Sequence, residues 1–249
     1  MTIREIIRNH QHSSKIVLSK CISDDQSFFE KSSYTSEGIS EIKNELAGYQ
    51  WYFSRTQSHH NIQLNCDIPG YCNISIPNFN AMPYQGVLSI SKCFDYAIQA
   101  IDCYSNIWGI GDPRALQPIH GDYSLEGNIL FNQSKVYVID WEHFQLACAP
   151  LGFDILYMIF ELIKMECKDR LPTEKHLSLA RKIIAYADSI GVISKAYSDN
   201  YFLSFLTEQE KIKFVWKNQY SKLPTSQFSQ EQLNKVSKFF SEFYKNPYS

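Results

Sequence analysis

The chain of 249 residues has almost no charge imbalance: 24 Lys and Arg against 26 Asp and Glu leave a formal net charge of −2. That balance provides no basic face for nucleic acid and none for an anionic membrane surface. No stretch reaches the ~18 consecutive apolar residues of a membrane-spanning helix. No basic segment followed by an apolar run opens the sequence, so no secretion signal is read. Internal repeats and low-complexity segments are also missing. Cysteine occurs without pattern: seven residues, at 21, 66, 72, 93, 103, 148 and 167, an odd number with no C-x-x-C pair. A disulfide framework or zinc site is therefore not expected, and reduced thiols in a cytoplasmic protein are. The histidine pairs His10/His12 and His59/His60 lack an Asp, Glu or Cys at ligand spacing and are read as surface loop.

What is present is an ordinary globular composition, 44% hydrophobic and 20% charged, rich in Tyr and Phe. Residues 15–21 and 27–32 are β-branched or aromatic and flank the polar cluster 23–26, the pattern of a hairpin. Residues 3–8 fit either a strand or a helix turn. From 40 to 53 the period changes: Ile42, Leu46, Tyr49 and Phe53 mark one helix face, with Ser36 or Ser40 as its cap. Glu45 falls on that apolar side and needs a partner, because an unpaired buried charge is costly. Strands follow at 62–68 and 71–76 around Pro69-Gly70, and Pro77 and Pro83 then bracket a linker. Beyond it the pattern is helical at 87–107, with Ile90, Phe94, Ile98, Ile101 and Tyr104 on one face, and loop at 109–118, where Asp112 and Arg114 receive no role. Further helices are expected at 153–163, 173–190, 197–220 and 229–244, the last opening on the capping-box signature S-Q-E-Q. This is a β-rich first third followed by a mostly helical remainder.

The chemistry concentrates in residues 119–140, I-H-G-D-Y-S-L-E-G-N-I-L-F-N-Q-S-K-V-Y-V-I-D. Residues 128–131 and 136–139 form a hairpin by pattern. Asn128 starts one strand and Asp140 follows the next, ends that lie side by side in an antiparallel pair. Two such oxygen ligands suit Mg²⁺, which also takes waters and substrate phosphates. Asp122 sits in the preceding loop, where it can orient a hydroxyl and accept its proton. His120 and Gly121 fix that loop, the histidine as a hydrogen-bonding residue rather than a catalyst. H-G-D alone is weak. Joined to N-I-L-F and V-I-D-W-E it points to phosphoryl transfer, which depends on positioning and metal-held charge.

His120-Gly121-Asp122, Asn128-Ile129-Leu130, Ile139-Asp140-Trp141-Glu142 and Pro150 with Phe153-Asp154 resemble the aminoglycoside phosphotransferase and choline kinase-like family. The resemblance implies an α+β, two-lobed protein-kinase-like fold. A small antiparallel-sheet lobe with one helix (1–77) would bind nucleotide. A larger, mainly helical lobe (78–249) would carry catalysis and the acceptor. It further implies that Asp122 is the catalytic residue and that Asn128 and Asp140 bind Mg²⁺. Asp154 would hold the catalytic loop. Lys31, with Lys20 as its competitor, would grip the phosphates of ATP, and Glu45 would be its helix partner. Five residues separate Asp122 from Asn128, one more than in the family's loop. Gly127 is expected to absorb the extra residue through a positive φ, with Glu126 as a substitute ligand otherwise. No glycine-rich phosphate loop is present; N-H-Q-H-S-S at 9–14 is the turn in the corresponding place. D-F-G and A-P-E are absent, which argues against a protein substrate. The expected activity is transfer of the ATP γ-phosphate to a hydroxyl of a small molecule, such as a sugar, amino alcohol or aminoglycoside. A catalytically silent nucleotide- or partner-binding module is the alternative. The sequence sets no oligomeric state.

Overall fold

The structure, a computed structural model, describes residues 3–9, 16–23, 26–56, 60, 62–85, 90–109, 115–133, 135–216 and 223–245. His10, His12 and most of the 9–14 turn, the middle of the 23–26 cluster, His59, Asp112 and Arg114 lie outside the described residues. The chain divides into two compact units, Met1–Ala81 with Ile139–Phe144, and Met82–Val138 with Gln145–Ser249.

In the first unit β1 (Ile3–Asn9), β2 (Val17–Ser23), β3 (Gln26–Ser33), β4 (Gln63–Asn65) and β5 (Cys72–Pro77) make one antiparallel sheet in the order β1-β2-β3-β5-β4. The ambiguous first segment is thus a strand. β2 and β3 pair without interruption from Val17–Ser32 to Ser23–Gln26. The chain turns between β4 and β5 at Gly70, whose φ of 75° glycine adopts without steric cost. Across this turn Cys66 and Cys72 are joined as a disulfide, which corrects the expectation of seven reduced thiols. Their spacing of six residues carries no motif; the hairpin alone brings their Cα atoms to 4.3 Å.

Helix α1 (Ser36–Thr56) buries Gly38, Ile42, Glu45, Tyr49 and Tyr52, a stripe at three- and four-residue steps. Its cap is Thr35, not Ser36 or Ser40: Thr35 Oγ1 accepts the Gly38 N–H at 3.1 Å. Trp141 is fully buried against α1, with its ring near those of Tyr49, Trp51, Tyr52 and Phe144. Asn44 on α1 donates to the carbonyls of Glu142 at 2.8 Å and Phe144 at 2.9 Å, fastening the 139–144 segment to the helix.

The second unit holds two small sheets and the remaining helices. β6 (Met82–Pro83), the hairpin strands β8 (Ile129–Asn132) and β9 (Lys135–Val138) form one sheet. β7 (Leu116–Ile119) and β10 (Gln145–Pro150) form the other. The loop expected at 109–118 therefore ends in a strand. Helix α2 (Ile90–Trp108) buries Cys93, Ala97, Ala100, Ile101, Tyr104 and Ile107. This stripe is rotated from the one read from Phe94 and Ile98, because small side chains carry the contact. Helix α3 (Phe153–Cys167) is buried on nearly all sides. Its start needs glycine, since a Cβ on Gly152 (φ 94°) would lie 2.8 Å from Ile193 Cα. Helices α4 (Glu174–Ser189), α5 (Tyr201–Lys211), α6 (Pro224–Gln227) and α7 (Gln230–Lys245) complete the unit. The S-Q-E-Q signature is a true capping box: Ser229 Oγ accepts the Gln232 N–H at 3.2 Å, and Gln232 Oε1 accepts the Ser229 N–H at 2.9 Å. No helix among the described residues is long and apolar enough to cross a membrane.

Candidate active site

The loop from His120 to Asn128 is built on α3. Asp154, fully buried, accepts the N–H of His120 through Oδ2 at 2.9 Å and that of Gly121 through Oδ1 at 3.0 Å. Burial pushes the Asp154 carboxyl up to about 7, while these two backbone donors hold it down. Gly121 sits at φ 87°, and its carbonyl accepts Trp216 Nε1–H at 2.7 Å. His120, also fully buried, accepts the Asp122 N–H on Nδ1 at 3.2 Å. That bond places its ring proton on Nε2 and makes it a loop-fixing residue.

Asp122 is held at both carboxylate oxygens. Tyr157 on α3 donates its hydroxyl to Oδ1 at 2.8 Å, and Asn128 Nδ2 donates to Oδ2 at 3.0 Å and to the Asp122 carbonyl at 2.9 Å. The five-residue spacing is accommodated without a left-handed Gly127, contrary to expectation. A helical turn takes up the extra residue instead: the Ser124 carbonyl accepts the N–H groups of both Asn128, at 3.0 Å, and Ile129, at 2.9 Å. A Cβ at 127 would lie 2.9 Å from Ser124 Oγ, so a side chain there would require that hydroxyl to turn aside. Asn128 is buried and bonded to Asp122, whereas Glu126 is exposed, so nothing in the loop calls for Glu126 as a substitute.

In the first unit, β3 places Lys31 opposite Ile74 of β5 on the side facing α1. Lys31 Nζ meets Glu45 Oε2 at 2.7 Å and also pairs with Asp140 Oδ1. Lys20, two residues on from Leu18, the β2 partner of Lys31, takes no part in either pair. Burial works against the Lys31 ammonium, but Asp140 and Glu45 outweigh it and push its pKa well above the ordinary value. Glu45 is fully buried; burial pushes it up to about 7 against the pull of Lys31. Its Oε1 has no hydrogen-bond partner among the described residues. Asp140 is left-handed (φ 64°), a conformation aspartate tolerates, and its N–H donates to Tyr49 Oη at 3.3 Å. Burial first and the Asp140 charge second push Glu142 up to about 8.

The residues read from sequence thus group as Lys31, Glu45 and Asp140 in one unit and Asp122, Asn128 and Asp154 in the other. Tyr157 and Trp216 were missed. For Tyr157 the available signal was weak: polar residues at 154, 157 and 161, stepping three and four along a helix otherwise apolar as far as residue 163.

No protein-family model and no curated protein matches the sequence. Solved structures do match. A thermostable mutant of aminoglycoside phosphotransferase APH(4)-Ia, apo form, superposes with a TM-score of 0.54 at 7% identity, covering 95% of this chain and 94% of that one. A Ralstonia eutropha JMP134 protein named after the aminoglycoside phosphotransferases gives 0.53 at 11% identity, covering 99% and 93%. Another APH(4)-Ia variant, in ternary complex with AMP-PNP and hygromycin B, gives 0.50 at 9% identity, covering 94% of each chain. The chain has the aminoglycoside-phosphotransferase-like variant of the protein-kinase-like fold. Identities this low establish the fold alone.

Proposed function

We propose that the protein is an ATP-dependent phosphotransferase that moves the γ-phosphate to a hydroxyl of a small molecule of sugar, amino-alcohol or aminoglycoside type. The observation that carries this reading is Asp122, a carboxylate held at both oxygens in a loop anchored by Asp154 and Trp216. A carboxylate so held orients a hydroxyl and accepts its proton during transfer. The structure of an APH(4)-Ia variant with AMP-PNP and hygromycin B is a precedent for a nucleotide analogue and an aminoglycoside together on this fold.

Lys31, braced by Glu45, is the group for the α- and β-phosphates, with residues 1–77 as the nucleotide-binding lobe and 78–249 as the catalytic and acceptor lobe. Asn128 and Asp140 are the Mg²⁺ ligands. Asn128 uses its amide nitrogen on Asp122, which leaves its carbonyl oxygen to act as a ligand. It directly precedes Ile129, whose register partner Val138 lies two residues before Asp140. No group of three or more His, Cys, Asp or Glu that could hold a metal occurs among the described residues. Two oxygen donors suit Mg²⁺, which keeps waters and takes further ligands from phosphates. When bound, Mg²⁺ offsets charge on the transferring phosphate. A cytoplasmic location goes with the use of ATP.

The test is ATP turnover with Mg²⁺ across a panel of hydroxyl compounds. Turnover with at least one acceptor is expected, lost in Asp122→Asn. Asp140→Ala is expected to abolish Mg²⁺-dependent nucleotide binding, and unchanged binding would sink the metal assignment. No turnover with any acceptor, with tight nucleotide binding indifferent to Asp122→Asn, would make the chain a silent nucleotide-binding module.

A further inference from the structure

Helix α3 presents three polar side chains on one face, Asp154, Tyr157 and Glu161, and each meets the catalytic loop in chain order. Asp154 takes the N–H groups of His120 and Gly121, Tyr157 bonds Asp122, and Glu161 hydrogen-bonds the Ser124 side chain. Up to Ile163 the rest of the helix is apolar, Lys164 and Glu166 coming only near its end, so each of the three lies where burial without a partner would be costly.

We propose that Tyr157 is a positioning residue that fixes the plane of the Asp122 carboxylate; this rests on the phosphotransferase reading. A carboxylate bonded at one oxygen still turns about Cβ–Cγ. Asp122 is bonded at both, and the two donors come from different elements: Tyr157 from α3 and Asn128 from the end of the loop itself. The phenol cannot swing aside freely. Tyr157 is buried, and its ring stacks on Trp216 at 6.4 Å between centroids and 8° between planes. Trp216 in turn donates to the Gly121 carbonyl. One aromatic pair therefore supports both the backbone before Asp122 and its side chain. A purely structural tyrosine would add stability and leave the rate of transfer alone.

Tyr157→Phe keeps the ring and removes only the donor. Mg²⁺-ATP hydrolysis, with water as the acceptor, is measured alongside a double-mutant cycle of thermal unfolding with Asp122→Asn. Misplacing a reacting group by ~1 Å can cost about 100-fold in rate, so turnover is expected to fall about 10- to 100-fold with KM for ATP within about twofold. The unfolding shifts of the two substitutions are expected to be non-additive. Turnover within about twofold of the parent, or additive shifts, overturns the proposal. A parent protein that hydrolyses no ATP and transfers phosphate to no acceptor overturns the phosphotransferase reading; the cycle then decides the pinning alone, non-additivity supporting it and additivity overturning it.

Discussion

Replacing Gly48 with alanine adds one methyl to the middle of α1, where helix propensity alone favours alanine by about 1 kcal/mol. The surroundings oppose it. The methyl would lie 2.4 Å from Trp141 Cβ, 2.9 Å from Trp141 Cγ and 3.0 Å from Phe144 Cβ. Carbon atoms rest at roughly 3.5–4.0 Å, so α1 and the 139–144 segment must separate by about 1 Å. The nearest atom is a Cβ, so no rotamer of the tryptophan relieves the clash and the backbone has to move. Trp141 is fully buried among four aromatic rings and has little room to yield. Overpacking of this kind costs about 1–3 kcal/mol. Set against the propensity gain, the net loss reaches about 2 kcal/mol. Urea unfolding measures it as a lower midpoint with an unchanged slope. Asp140 directly precedes Trp141, so the same displacement reaches its carboxylate. Mg²⁺-dependent nucleotide binding, followed by calorimetry, should weaken in Gly48→Ala and not in Lys43→Ala, a change at an exposed position of the same helix. A Gly48→Ala protein as stable as the parent, or more so, would refute the close-packing account.

Two further outcomes follow from α3. Asp154→Ala leaves the buried N–H groups of His120 and Gly121 without their acceptor, at about 1–3 kcal/mol each. Stability should drop by about 2–6 kcal/mol on those two groups together, and ATP turnover should fall with the loosened loop; turnover equal to the parent's in a folded Asp154→Ala protein would show that the loop does not depend on this anchor. For Glu161, burial first and the Asp122 charge second push the carboxyl from 4.5 to about 8. Between those values the folded protein keeps a proton that the unfolded chain has released. This contribution to stability is full below about pH 4.5 and is lost as the pH rises towards about 8. Glu161→Gln keeps the neutral form, so its thermal midpoint should vary less over that range and exceed the parent's at the alkaline end. A pH dependence that the substitution leaves unchanged would place the titration on another group.

Much of the fold was legible because it is local. The β2–β3 hairpin, the α1 stripe, the β8–β9 hairpin and the Ser229 capping box each rest on residues a few positions apart, where periodicity and turn chemistry speak directly. The pairing of β7 with β10 was not, since its partners Gln117 and Ala149 are far apart in sequence and the strands are short and partly exposed. The Cys66–Cys72 bond was hidden for a related reason: the hairpin that joins them leaves no mark in their spacing. Tyr157 and Trp216 read as core aromatics, and only their hydroxyl and indole N–H partners distinguish them.

In the 119–140 stretch, residue types and order alone singled out the groups proposed here to carry the chemistry: Asp122, Asn128 and Asp140, on a loop followed by a hairpin. Burial on an apolar helix face also determined that Glu45 needed a partner. Which partner was a tertiary decision. The sheet register sets Lys31, and not Lys20, against Glu45 and Asp140. The orientation of Asp122 was tertiary as well, because its two oxygens are held from α3 and from Asn128. Sequence spacing reports the few residues on either side of a position. A buried polar group must find its partner wherever the chain returns in space, and only the folded chain decides where that is.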